Sequence, residues 1–218
     1  ASPDSIATTA VKTADLSTLV AALQFVDEGS TEKLLPLLGN PGTLTVFAPT
    51  NAAFDKLAVE LAGAGAKAAD LLVPGNKDLV RDVLRYHVLG TTVKRADIPL
   101  GKPIDPVLPG NAIFKIDAVA GAVLVTDGRN RTSTVVATDI LASNGVVHLI
   151  DRVILPANKN IVETALAAAP ELSILVEAVT AASLAPTLSG SGPFTVFAPT
   201  NDAFANLLTE LGVTKAQL

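Results

Sequence analysis

Few residues in this chain could carry chemistry: two histidines, His87 and His148, a single tyrosine, Tyr86, no cysteine, and 21 acidic side chains. His148 and Asp151 lie three apart in an extended apolar run. Side chains alternate faces along a strand, so these two point to opposite sides and do not readily pair with each other. The run is apolar on both faces, Val147, Leu149, Val153 and Leu155 on one and Val146, Ile150 and Ile154 on the other. Such a strand is expected to be buried on both sides, so each polar group needs its own partner. Asp151 is expected near the corner formed by Thr50 and Asn51. His87 follows Val80 by seven residues on a helical stripe with Val83 and Leu84, which turns its imidazole inward.

Lys77, Arg81 and Arg85, spaced by four in "NKDLVRDVLRYH", form a basic stripe opposite that core face. Asp78 and Asp82 sit beside them at helical spacing, which describes a solvated, self-paired surface; the alternative is a docking surface. "GAGAKA" at Gly63 to Ala68 fits a dinucleotide-loop spacing, but it follows a helix instead of a strand and lacks the phosphate-cradling geometry. "NRT" at Asn130 to Thr132 is a glycosylation sequon, of consequence in a eukaryotic secretory host. There is no H-E-x-x-H, no G-x-S-x-G and no carboxylate-rich metal loop. No enzymatic activity, metal or cofactor is expected.

Composition narrows the classes further. Absence of cysteine excludes disulfides, thiol catalysis and thiolate metal sites. A formal charge of −5 argues against general nucleic-acid binding, which needs a dense basic surface. At 49% hydrophobic and 17% charged, the 218 residues can bury a sizeable core. No uncharged apolar run reaches the roughly 18 residues of a membrane-spanning helix. The start at Ala1, without any methionine, is expected of a processed or trimmed N-terminus.

The elements that position these residues are organised by a repeat. "TVFAPTNAAFDKLAVEL" from Thr45 matches "TVFAPTNDAFANLLTEL" from Thr195. Upstream, Ser5 to Leu23 resembles Asn160 to Val179 with one insertion, so a second unit starts near Ala157. The shared motif reads as a strand ended by Pro49, a cap at Thr50 or Asn51, and a helix with Phe54, Leu57, Ala58 and Leu61 in one stripe. Helices are expected near Ser5 to Lys12, Asp15 to Val26, Asn76 to Tyr86 and, shorter, Ala66 to Leu72. From Pro103 to Pro156 β-rich runs alternate with turns. Asn144-Gly145 marks a hairpin because both residues accept positive φ. A helical front and a mainly antiparallel back define an α+β unit. The second unit, 157–218, contains the front only.

The motifs "TVFAPTNAAF", Tyr86-His87 and "GVVHLIDRVILP" (Gly145 to Pro156), in that order, resemble those of the fasciclin-like domain family. The resemblance covers residues 1–156 as a complete domain and 157–218 as the N-terminal part of another. It implies a compact β-wedge flanked by helices, exported to the periplasm, the cell surface or the medium, with adhesive and non-enzymatic function. It also implies a protein, cell-surface or matrix partner. In vertebrate relatives the Tyr-His region contributes to integrin binding. "NKDL" (Asn76, Lys77, Asp78, Leu79) resembles an animal adhesion motif, Asn-Lys-Asp-Ile-Leu, but departs at its last two positions. The residues therefore nominated for binding are Asn76, Lys77, Asp78, Leu79, Arg81, Arg85, Tyr86 and His87, with Thr50, Asn51, His148 and Asp151 as structural. A second reading is a carrier with a lipid or carotenoid in a groove between helices and wedge. The apolar strand at Phe194 to Ala198 lacks later strands to pair with, an aggregation liability. A longer native chain that has been cut is the favoured resolution, with a homo-oligomer or domain swap as another.

Overall fold

The computed structural model describes residues 4–110 and 112–217. The chain divides into two compact units, Ala1–Pro156 and Ala157–Leu218.

The first unit opens with α1 (Ile6–Lys12), α2 (Ser17–Asp27) and α3 (Leu34–Gly39), followed by β1 (Leu44–Pro49) and α4 (Asn51–Ala62). Ser5 caps α1 by accepting from the Thr8 N–H. The α3 helix has only six residues, with Pro36 inside it, and no periodic pattern foretells it. It is held from outside: the buried Asp27 carboxylate accepts the N–H groups of Leu34 and Leu35 at 2.6 and 2.8 Å. Those are two of the donors a helix start leaves unpaired. The expected helix at Ala66 to Leu72 is a shorter 3-10 turn, Ala68–Leu71. Then come α5 (Lys77–Tyr86), β2 (Val88–Leu89), β3 (Pro103–Ile104), β4 (Phe114–Val119), β5 (Ala122–Thr126), β6 (Thr132–Ala142) and β7 (Gly145–Ile150).

These strands form one curled sheet in the order β2-β1-β7-β6-β5-β4-β3. The back is antiparallel, as its turns imply, but β1 pairs with β7 in parallel, Leu44 opposite Gly145 and Phe47 opposite His148. The period of 2 sends alternate β1 residues into two cores. Val46, Ala48 and Val147 join Leu19, Leu23, Phe54 and Leu57 beneath the helices. Phe47 and Ile150 join Tyr86, Phe114, Ile116 and Val125 in the curl of the sheet. Burial on both faces explains why β7 reads as a continuous apolar run.

The β6–β7 hairpin differs from the expectation in one respect. Gly145 has φ +151°, whereas Asn144 is not among the described residues with positive φ. The Asn144 side chain does other work, accepting from the Ile6 N–H at 2.8 Å and donating to the Leu38 and Asn40 carbonyls at 2.8 and 2.7 Å. It ties α1 and the end of α3 to the hairpin.

The second unit holds α6 (Ile161–Ala167), α7 (Ser173–Ala181), α8 (Ala185–Leu188) and α9 (Asn201–Leu211). Residues 194–199, the counterpart of β1, form no strand, since a strand is defined by a ladder and none of the described residues offers one. Phe197 is 93% exposed where its repeat partner Phe47 is fully buried.

Candidate functional site

The repeated Thr-Asn pair caps two helices at once. The Thr50 hydroxyl accepts from the Ala53 N–H at the start of α4. Asn51 reaches back to the start of α2, accepting from the Thr18 N–H at 2.8 Å and donating to the Ala14 carbonyl and the Ser17 hydroxyl. Thr200 and Asn201 repeat this arrangement on Ala203, Ile174, Pro170 and Ser173. The motif recurs because each copy fixes its own helix pair.

Both histidines are spent on backbone groups. His87 Nδ1–H donates to the Val83 carbonyl at 2.6 Å, and Nε2 accepts from the Ile154 N–H at 3.1 Å. Burial lowers its pKa to about 4, although the Val83 carbonyl and Asp127 pull upward. A proton on Nε2 would face another N–H, so the neutral ring is the one that fits. His148 Nδ1 accepts from the Asp139 N–H at 3.2 Å, and Nε2–H donates to the Val93 carbonyl at 2.8 Å. Asp139 sits in the irregular stretch of β6 with φ +58°, where a bulge takes its N–H out of the ladder. The His148 ring stacks on Phe47, centroids 5.3 Å apart. Asp151 lies past the end of β7. Its Oδ1 accepts from the Thr134 N–H at 2.7 Å and the Ser133 hydroxyl at 3.3 Å. Lys56 of α4 donates to the Asp151 carbonyl, and the Thr50 N–H bonds the preceding carbonyl of Ile150. The Asp151 carboxylate thus bonds β6 and lies beside the Thr50 corner without bonding Thr50 or Asn51.

A polar centre that the sequence reading did not single out lies next to His87. Asp127, in the "DGRNR" turn after β5, is 6% exposed. Its carboxylate accepts from the N–H groups of Arg129, Arg131 and Leu155 and takes the Arg131 guanidinium in two bonds of 3.0 and 2.7 Å. Arg131 and Arg152 converge on Glu60 of α4, each at 2.7 Å. The Tyr86 hydroxyl donates to the Ile113 carbonyl and accepts from the Gly128 N–H. Burial above all, and then Asp127, hold this phenol protonated well above its ordinary range. The signal available in sequence was an Asp-Gly turn rich in arginine, which describes many exposed hairpins.

The binding candidates are not brought together but divided among three sides of α5. Tyr86 and His87 point inward. Lys77, Arg81 and Arg85 are not an open stripe: they face the α2–α3 connection. Lys77 donates to the Glu28 carbonyl and lies 5.4 Å from the Phe25 ring centroid. Arg81 pairs with Asp78 and donates to the Val26 carbonyl, both at 2.8 Å, and Arg85 pairs with Glu32. These cations close the fold against α2, which a helical wheel of α5 alone does not reveal.

Asn76 and Leu79 lie on the third side, along an apolar groove between α4 and α5. It has a volume of about 90 Å³, and its walls include Phe54, Leu57, Leu61, Val80 and Leu155. Leu61, expected in the core stripe, is 55% exposed at the rim, and Leu79 is 49% exposed. The buried stripe of α4 ends at Ala58. Arg129 is the only charged residue of the wall. Burial, then the neighbouring Arg131, lower its pKa. The "GAGAKA" segment runs from the end of α4 into the 3-10 turn, with Gly63 and Gly65 at φ +93° and +90° and no strand before it. Asn130, φ +58°, is exposed in the β5–β6 turn. Among the described residues no cluster of three or more histidine or acidic side chains could hold a metal ion, and no single helix is long and apolar enough to cross a membrane.

A curled seven-stranded mixed sheet flanked by helices, entered through a doubly capping Thr-Asn corner, defines an α+β domain. The fasciclin domain family model matches residues 14–156 and 170–218, and the chain belongs to that family. It is 32% identical over 180 residues to transforming growth factor-beta-induced protein ig-h3 of Sus scrofa, covering 83% of this chain and 24% of that protein. It is 38% identical over 143 residues to protein sll1483 of Synechocystis, covering 64% of this chain and 67% of the relative. A solved FAS1 domain pair from the insect cell adhesion molecule Fasciclin I aligns over 90% of this chain and 65% of its own, at 17% identity and a TM-score of 0.48. The chain spans about a quarter of the length of ig-h3.

Proposed function

We propose that this chain is a non-enzymatic adhesion or surface-interaction module of an exported protein, whose partner is a protein or matrix component. The observation that carries this reading is the solvent-open apolar groove on the α4–α5 face, rimmed by the exposed Leu61 and Leu79. Exposed apolar surface gathered at a concave place marks an interaction site more often than scattered surface leucines do. The polar groups that could have served catalysis, His87, His148, Asp127 and Asp151, bond backbone instead. Immobilised chain should capture cells or extracellular matrix from its source, and filling the groove with Leu79→Trp should reduce that capture several-fold. Full capture by that variant would exclude the face.

The same groove favours a second reading, a carrier of an apolar small molecule. Its volume of about 90 Å³ is small for this, since pockets that enclose whole ligands run to roughly 300–1,000 Å³. Native mass spectrometry of protein purified from its own source distinguishes the two. A non-covalent adduct of small-molecule mass supports the carrier, and an unliganded mass together with surface capture supports adhesion.

A further inference from the structure

We infer that the α4–α5 groove is an anchor pocket for a partner protein segment in which one leucine-sized side chain stands next to an aspartate or glutamate that pairs with Arg129. This deepens the interaction reading above and rests on it.

Three observations carry the assignment. First, the size: about 90 Å³ is less than the roughly 150 Å³ of an engineered apolar cavity that takes up benzene, so the groove accommodates one side chain and not a lipid. Second, the wall: Phe54, Leu57, Val80 and Leu155 offer no polar partner, while the half-exposed Leu61 and Leu79 give a margin that a protein surface would cover. A central apolar anchor with a surrounding seal is how protein interfaces concentrate their binding energy.

Third, the charge. Arg81, Arg85, Arg131 and Arg152 each face a carboxylate. Arg129 makes no ion pair with any carboxylate among the described residues; its side chain donates from Nε to the Pro156 carbonyl at 3.2 Å. Its backbone N–H is held by Asp127, so the residue is positioned at the groove while the outer nitrogens of the guanidinium remain for a ligand. An unpaired, partly buried cation beside an apolar slot selects an anion joined to an apolar group.

The test is an NMR titration of the isotope-labelled full chain with two probes, acetyl-Ala-Leu-Glu amide and its glutamine counterpart. The acidic peptide should shift amides of α4 and α5 and bind about fivefold more tightly than the neutral one, the scale of one exposed ion pair. Arg129→Gln should bind the two alike, and Leu79→Trp should weaken both. Equal affinity for the wild-type chain, shifts confined to other surfaces, or displacement of the acidic peptide by octanoate at lower concentration would each overturn the assignment, the last in favour of a free acyl carboxylate. Surface capture by the same proteins separates the two levels. Capture undiminished in both variants sinks this pocket and leaves the broader reading standing. A wild-type chain that captures nothing, yet prefers the acidic peptide at α4 and α5, sinks the broader reading and keeps the pocket.

Discussion

His87 is held as a neutral donor-acceptor bridge between α5 and the segment after β7, and this makes stability depend on pH in a stated direction. Its folded pKa of about 4 lies below the ordinary 6.5, so between those values the unfolded chain binds more protons than the folded one. The contribution is fully present above pH 6.5 and is lost as pH falls toward 4, amounting to about 3 kcal/mol. Urea unfolding across that window should show the wild-type chain losing this increment relative to His87→Asn, in which the surrounding carboxylates titrate alike. Parallel stability curves for the two proteins would rule the bridge out as the cause. Asp127 is met differently, as a buried carboxylate that accepts from three backbone N–H groups and takes two bonds from the Arg131 guanidinium.

At the scale of elements, the parallel junction of β1 and β7 leaves no room for a side chain at Gly145. A Cβ on Gly145 would lie 1.9 Å from the Leu44 carbonyl oxygen, and its φ of +151° is unfavourable to any other residue. Gly145→Ala should cost about 3 kcal/mol or more in urea unfolding, whereas Gly90→Ala, which meets nothing within 4 Å, should stay within about 0.5 kcal/mol. An equally mild effect at Gly145 would show that the junction can slide.

The caps, most helices and the strands of the back were legible in sequence because each is written in local spacing. Strand β5 falls in the β-rich stretch between Pro103 and Pro156, and of the two cap candidates Thr50 caps α4. The β1–β7 pairing was not legible, since it joins residues about a hundred positions apart and leaves no periodic trace between them. The candidate site was legible only in part. Spacing placed His87 inward, but it could not show that the α2–α3 connection covers the basic stripe of α5, nor that Arg129 arrives at the groove from the β5–β6 turn.

At the scale of the whole molecule, both cores close within the first unit. A chain ending at Pro156 should therefore unfold in one cooperative transition, with its melting temperature within a few degrees of the parent's first-unit transition in calorimetry. A broad, non-cooperative melt would show that the second unit supports the first. In the second unit the Thr200-Asn201 corner forms without a ladder for residues 194–199.

The placement of Tyr86 has an optical consequence. The chain has one tyrosine and no tryptophan, and that tyrosine is fully buried in the curl of the first unit's sheet, edge-on to the Phe114 ring. Emission excited at the phenol band is therefore a reporter of the first unit alone, native to the chain and free of added labels. Whatever the second unit does, in folding, pairing or capture, passes unseen at that wavelength unless it disturbs the first.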